Sequence, residues 1–283
     1  HGREHSFPTR RSSDLVAVAP NVLRLTAPNP GVMTGPGTNS YLVGTKAVAV
    51  IDPGPADAGH VAALLAAAPG PIRWILVTHT HLDHSPAAAL LREKSGAQLV
   101  GMPAPEHGAQ DKKFKPGRIM IQDERLVGDD FVLTAIHTPG HASNHLCYLL
   151  EEEGLLFTGD HIMSGSTVVI APPDGDMASY LASLALLKRY PLKRLAPAHG
   201  GILEQPEAVI DWLIAHRLGR EAKVVEALAA APDSTLDELL PVVYQDVQAL
   251  LFPVAKHSLT AHLLKLKDEG RARRSDNGRW HNC

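Results

Sequence analysis

The sequence predicts a mixed α/β layered domain followed by a small, mostly helical one, and three observations carry that prediction. Short apolar runs alternate with helical patterns from Val22 to about Gly201, turn formers bound those runs, and the texture changes to long amphipathic helices near Pro206. Residues 22–27, 40–43 and 47–51 read as strands, separated by the turns Pro28-Asn29-Pro30-Gly31 and Gly35-Pro36-Gly37. Residues 56–68 form an alanine-rich helix that stops at Pro69-Gly70. Trp74 to Thr78 reads as a buried strand. Ser85-Pro86 then offers a cap and a proline at the first helical position, opening a helix that ends at Ser95-Gly96. Strands resume at 131–137, 146–150, 155–158 and 167–170.

Past Pro206 the apolar positions Val209, Ile210, Leu213, Ile214, Leu218, Val224, Val225 and Leu228 recur at mostly helical spacing. Helices are expected over 236–244 and 258–269, joined by a loop containing Phe252-Pro253. A basic hairpin with an Asn277-Gly278 turn closes the chain. Three helices and a ribbon suggest a winged-helix arrangement. The expected division is therefore a catalytic domain over 15–205 and a winged-helix-like domain over 206–283. Residues 1–14 are basic, without an apolar core or a small-residue cleavage site, and resemble translated sequencing-adapter read-through. They are read as an adventitious or unstructured leader.

The chain has 283 residues, is 45% hydrophobic and 20% charged, and carries a formal net charge of −3. These values exclude a collagenous or disordered chain and a polycation that coats nucleic acid or anionic lipid. Cys147 and Cys283 offer no disulfide framework, which fits a reducing compartment and a cytoplasmic location. No apolar run approaches the roughly 20 residues that a membrane helix needs, so no membrane partner is expected. Sixteen histidines, several of them clustered, are more than packing calls for.

The strongest chemical signal is Thr78-His79-Thr80-His81-Leu82-Asp83-His84, which fills the loop between an apolar strand and the Ser85-Pro86 helix. Residues two apart in extended chain project to one side, so His79 and His81 can chelate one ion. Asp83 and His84 enter the helix turn, point elsewhere and can reach a second. His141, Asp160 and His199 each close an apolar run beside a glycine, where the backbone turns tightly. All seven can converge on one rim. Nitrogen and oxygen ligands of this kind suit zinc, iron or manganese.

With the later Thr138-Pro139-Gly140-His141, Thr158-Gly159-Asp160 and Ala198-His199-Gly200 segments, this pattern resembles the metallo-β-lactamase-fold hydrolases over about Val22 to Gly201. The resemblance implies an αββα sandwich with a dinuclear centre of two divalent ions, zinc before iron or manganese. It implies that His79, His81 and His141 hold one metal, that Asp83, His84 and His199 hold the other, and that Asp160 bridges them. Asn39-Ser40-Tyr41-Leu42-Val43-Gly44, the Ile51-Asp52-Pro53-Gly54 turn and the basic C-terminal helices are most similar to the branch of β-lactamase-like protein 2 and its bacterial relatives. The glyoxalase II branch differs: its Glu-Tyr pair is absent after His199, where Gly200-Gly201 stands. Ser85-Pro86 also replaces the more usual small-residue pair after the last histidine of the first motif.

Such a centre would use a metal-bridging hydroxide as nucleophile, since a metal lowers the pKa of bound water from 15.7 to about 7. Asp83 is the expected catalytic residue, accepting a hydrogen bond from that hydroxide and passing a proton to the leaving group. His145 either lines the substrate cleft or orients a ligand, and Asp52 either supports a metal-bound histidine or caps its own turn. His137 reads as structural, and His60, His107, His216, His257 and His262 read as surface or helix-packing residues. The tail carries a surplus of four positive charges, and Arg271, Arg273 and Arg274 are its candidate nucleic-acid contacts. Aromatic content of only 5% argues against a dedicated base-stacking surface. Three functions follow. The branch implies endoribonuclease action on single-stranded RNA; a small ester, thioester or lactone is the alternative substrate; the third is a nucleic-acid-binding regulator with structural metals. Oligomeric state is not encoded in any of these features.

Overall fold

A computed structural model describes residues 15–283, so the reading of the first fourteen residues lies outside the described part. The first sheet is formed by β1 (Val16–Ala19), β2 (Val22–Thr26), β3 (Asn39–Val43), β4 (Val48–Ile51), β5 (Ile72–Leu76) and β6 (Gln98–Val100), in that spatial order. Helices α1 (Ala58–Ala67) and α2 (Ala87–Ser95) make the parallel crossovers β4 to β5 and β5 to β6. The second sheet comprises β7 (Arg125–Val127), β8 (Val132–His137), β9 (Leu146–Leu150), β10 (Leu155–Gly159) and β11 (Arg194–Pro197), with β11 added parallel through α3 (Met177–Leu187). Strand alternation builds the layers. In β9, Leu146, Tyr148 and Leu150 enter the core between the sheets, while Cys147 and Leu149 pack under α3. In β4, Ala49 and Ile51 join that central core and Val48 and Val50 face α1 and α2. The result is the αββα sandwich.

The C-terminal part consists of α4 (Pro206–Ala230), α5 (Leu236–Val243), α6 (Phe252–Asp268) and the hairpin β12 (Ala272–Arg274) and β13 (Trp280–Asn282). Its own core gathers Val224, Leu228, Leu240, Leu259, Leu263 and the buried Trp280. Thr235 and Glu238 form a reciprocal capping box that starts α5. Helix α4 belongs to both parts: Ile210 and Leu213 pack in the α3 core, and Val224 and Leu228 in the C-terminal one. No described helix is long and apolar enough to cross a membrane.

Three local expectations are corrected. Residues 167–170 form no strand, because the Val168 and Val169 carbonyls accept from Arg217 and His141 instead of a neighbouring strand. Phe252-Pro253 is no loop: proline needs no N–H partner in the first turn, and α6 starts there. The Ser85 side chain does not cap α2 but donates to Asp111 Oδ2 at 3.0 Å. His60 and His262 are buried in their helices, which agrees with the packing alternative, and His262 Nδ1 and Nε2 both lack a hydrogen-bond partner.

Burial, followed by the nearby Arg217 charge, pushes the His262 pKa down to about 3. The unfolded chain therefore takes up this proton first, so the stability tied to neutral His262 is complete above about pH 6.5 and is lost as pH falls toward 3. His262→Leu should lose about 4–8 °C less in melting temperature between pH 7 and pH 5 than the parent chain. Parallel acid-dependent melts in which the two chains fall equally would refute this assignment.

Candidate metal centre

Strand ends converge on one rim of the sandwich. The loop 78–85 leaves β5, the turn to His141 leaves β8, Asp160 follows β10, and His199 follows β11. Backbone bonds lace these loops together: Leu146 N–H donates to Thr78 O at 2.7 Å, Ala198 N–H to Gly159 O at 3.1 Å, and Asn39 N–H to Ala198 O at 2.7 Å. Gly159 lies at φ +48, and a Cβ there would approach His145 Nε2 and Thr78 Oγ1 to 2.6 Å, so only glycine lets Asp160 emerge at this point.

The structure brings all seven expected residues together, in two groups that share Asp160. In the first, His79 Nε2 lies 2.9 Å and His141 Nε2 3.0 Å from His81 Nδ1, and Asp160 Oδ2 is 3.6 Å from His141 Nε2. In the second, His199 Nε2 is 3.2 Å from both Asp83 Oδ2 and Asp160 Oδ1, and His84 Nε2 is 3.4 Å from Asp83 Oδ2 and Asp160 Oδ2. Each group keeps its ligand atoms within 4.8 Å of one another. Tetrahedral ligands about 2.1 Å from zinc stand roughly 3.4 Å apart.

The two groups differ in charge. Burial pushes the pKa of His79 well down, that of His81 to about 3 and that of His141 below its usual value, so three neutral imidazoles aim lone pairs at one point. A cation satisfies them; water satisfies at most two lone pairs at once. In the second group burial opposes charge, but Asp83, Asp160 and Asp52 outweigh it and raise the His84 pKa well above normal. Asp160 likewise leads in lifting His199 to about 10. Burial also works to raise Asp83, yet the His84 and His199 partners hold it far below the ordinary carboxylate range. His84 Nε2, His199 Nε2 and Asp160 Oδ1 are buried without a hydrogen-bond partner. The donor set therefore fits two divalent ions, with three neutral nitrogens and the shared Asp160 at one position, and His84, His199 and two carboxylates at the other.

Support for the ligands comes from behind. Asp52 sits at φ +51, a conformation that Asp and Asn tolerate, and its oxygens accept from Thr78 N–H and Oγ1–H at 2.8 Å and from His84 Nδ1–H at 2.9 Å. The expectation that Asp52 supports a histidine is met by this contact. Asp52→Asn keeps the backbone geometry but sets an amide N–H against one of these donors. It is expected to weaken zinc binding about 10–100-fold in chelator competition while leaving the fold intact. His141 is oriented by Nδ1–H donating to Val169 O at 2.7 Å, and His199 by Nδ1–H donating to Gly37 O at 3.1 Å.

His145 is corrected as a cleft residue. It is fully buried, and its Nε2 accepts from Asp160 N–H at 3.2 Å, so it orients Asp160 from behind. His137 bonds the Ser143 carbonyl at 3.0 Å.

A cavity of about 720 Å³ opens from the metal-type residues His81, Asp83, His141 and Asp160. It runs past Met163 and Val168 to Val247, Leu251 and Val254 of the C-terminal part and reaches His216, Arg217, Arg220 and His257. His216 and His257, read from sequence as surface or packing residues, thus face this space; their helical spacing shows nothing unusual, and no sequence signal marked them. Arg271, Arg273 and Arg274 do not line it. Arg271 pairs with Glu221 at 2.6 Å and Glu269 at 2.9 Å, and Arg274 lies over the Trp280 ring.

Comparison with known proteins agrees with this architecture. Residues 33–199 match the metallo-beta-lactamase superfamily model, and residues 235–280 match the beta-lactamase associated winged helix domain. The chain is 31% identical over 271 residues to the beta-lactamase-like protein 2 homolog of Drosophila melanogaster, covering 89% of this chain and 90% of that protein. It is 29% identical to an atrochrysone carboxyl ACP thioesterase of a Cryptosporiopsis species, over 80% of this chain and 68% of the other. A beta-lactamase domain protein from Burkholderia ambifaria superposes with a TM-score of 0.82 at 20% identity, over 99% of this chain and 96% of that one. Fold, motif order and the carboxyl-terminal winged helix thus agree with these matches, and the chain belongs to the metallo-beta-lactamase superfamily of hydrolases.

Proposed function

We propose that this protein hydrolyses a small ester or thioester whose acyl part is apolar, using two divalent ions. The observation that carries this reading is the largely apolar cavity that leads from the His/Asp cluster and is walled by the C-terminal helices. His79, His81 and His141 would hold one ion, Asp83, His84 and His199 the other, and Asp160 both; zinc is the first candidate, iron and manganese the others. Bound there, the ions would supply a water acidified from a pKa of 15.7 toward about 7 and polarise the scissile carbonyl.

The rest of the chemistry falls to the chain's own residues. Asp83 lines the cavity, with Oδ2 turned toward His84 Nε2 and His199 Nε2 at the second ion position, which leaves Oδ1 to take a proton and return it to the departing oxygen or sulfur. Met163, Val168 and Val254 keep bulk water from the acyl group and fix its approach. No serine or cysteine nucleophile is required: Ser85 is buried and engaged with Asp111, and Cys147 is buried among apolar side chains.

Single-stranded RNA is the competing substrate, the one expected from the sequence resemblance to the β-lactamase-like protein 2 branch. Against it, the arginines expected to grip RNA lie off the cavity, and Arg271 is already neutralised by Glu221 and Glu269. A nucleic-acid regulator would rest on the same arginines. The deciding experiment strips the protein with a chelator, restores zinc, manganese or iron, and assays a medium-chain thioester, an ester, a lactone and single-stranded RNA. Metal-dependent turnover of the thioester or ester is expected. RNA cleavage with none of the small substrates consumed would overturn the reading.

A further inference from the structure

We propose that Arg217 is the anion-recognition residue of the cavity, so that the substrate carries a carboxylate or phosphate group beyond its apolar portion. This rests on the hydrolase reading above and specifies its substrate class. Arg217 belongs to α4, is 4% exposed and lines the cavity. Its Nη2 donates to the Val168 carbonyl and its guanidinium lies 5.2 Å from the Tyr180 ring centre, yet its Nε has no hydrogen-bond partner. Among the described residues no carboxylate forms an ion pair with it.

The neighbouring cations are different. Arg220 pairs with Asp246 at 2.7 Å, and Lys265 and Arg271 share Glu221 at 2.8 and 2.6 Å. The Arg217 charge acts on His216, His262, Tyr180 and Tyr244, and the carboxylates of this region are engaged elsewhere, Glu221 with Lys265 and Arg271 and Asp246 with Arg220 and Lys223. A guanidinium stays charged in proteins, so Arg217 cannot escape burial by losing its proton as a lysine can. A buried charge without a counter-ion is strongly unfavourable. The open side of this charge is the cavity, so a counter-ion arriving with the substrate removes that cost. The Tyr244 hydroxyl, also on the cavity wall and buried without a partner, is a second donor.

Placement agrees. Arg217 and His141 bond the carbonyls of successive residues, Val168 and Val169, so the anion pole and the metal pole hang on one short segment. Met163, Val247, Leu251 and Val254 supply an apolar span on the same cavity wall. A ligand with a scissile carbonyl, a hydrocarbon middle and a terminal anion matches all three regions. The planar fork of arginine accepts carboxylate and phosphate alike.

The test measures binding, not turnover. Octanoate, octyl phosphate and octanamide are titrated by calorimetry into the full-length chain, once after chelation and again after zinc reloading. At least one anion should bind about 10–150-fold more tightly than the amide, the range for a hydrogen bond to a charged group. Whichever anion binds more tightly identifies the group. Arg217→Met should erase the preference and Arg217→Lys should keep part of it. In the parent chain the Arg217 Nε–H signal should move on adding the preferred anion, a readout that needs no variant to fold. Equal affinity for all three ligands, a preference that survives Arg217→Met, or a static Nε–H signal would overturn the proposal. Anion preference without ester turnover would overturn only the hydrolase reading.

Discussion

If Asp160 serves both ion positions, Asp160→Ala should lower metal-dependent turnover by at least about 10³-fold, because a metal's acidification of water spans nearly nine pKa units. Bound metal should fall from two ions per chain to one or none, measured by elemental analysis of the same samples. The fold should survive: the backbone N–H to His145 remains, and the side chain lies on the cavity wall outside the apolar cores. Removing a carboxylate also takes a negative charge from beside His84 and His199, which lowers their proton affinity. An Asp160→Ala protein that retains two metals and normal turnover would refute the bridging role.

The second large effect concerns chain length. If Met163, Val168, Val247, Leu251 and Val254 bind the acyl group, kcat/KM should rise about fourfold per methylene, following roughly 0.8 kcal/mol for each one buried. Over six methylenes that is a factor of about 4 × 10³. Val254→Trp should cut the series short, costing long acyl thioesters most of this gain while leaving an acetyl thioester unchanged. A flat profile across chain lengths, in the parent and the variant alike, would show that the apolar wall takes no part in substrate binding.

The metal-type residues were legible because each is tied to a local rule. His79 and His81 share one face of an extended segment, and His141, Asp160 and His199 stand where apolar strands run out beside glycines. The sandwich strands were legible for the same reason: 146–150 and 155–158 are continuous apolar runs, as buried strands require. Three-residue strands such as β6 and β7 are too short to display a period. Residues 167–170 have a strand's composition, but their carbonyls are claimed by Arg217 and His141, a long-range competition that no local window contains. The cavity was equally hidden, since Val32, Val168, Arg217 and Val254 meet only once the sheets and α4 have assembled. An unpaired arginine looks like any other arginine in sequence. Only three-dimensional neighbours reveal that its counter-charge is missing.

Helix α4 carries a wider implication. Its 25 residues begin against α3 and end inside the winged-helix core, so neither half owns a full set of packing partners without it. Cutting the chain ahead of this helix would strip the sandwich of Ile210 and Leu213 and the cavity of a wall in one stroke. The two halves of this chain therefore lean on one another: without the tail, the sandwich would lose packing and the cavity a side at the same time.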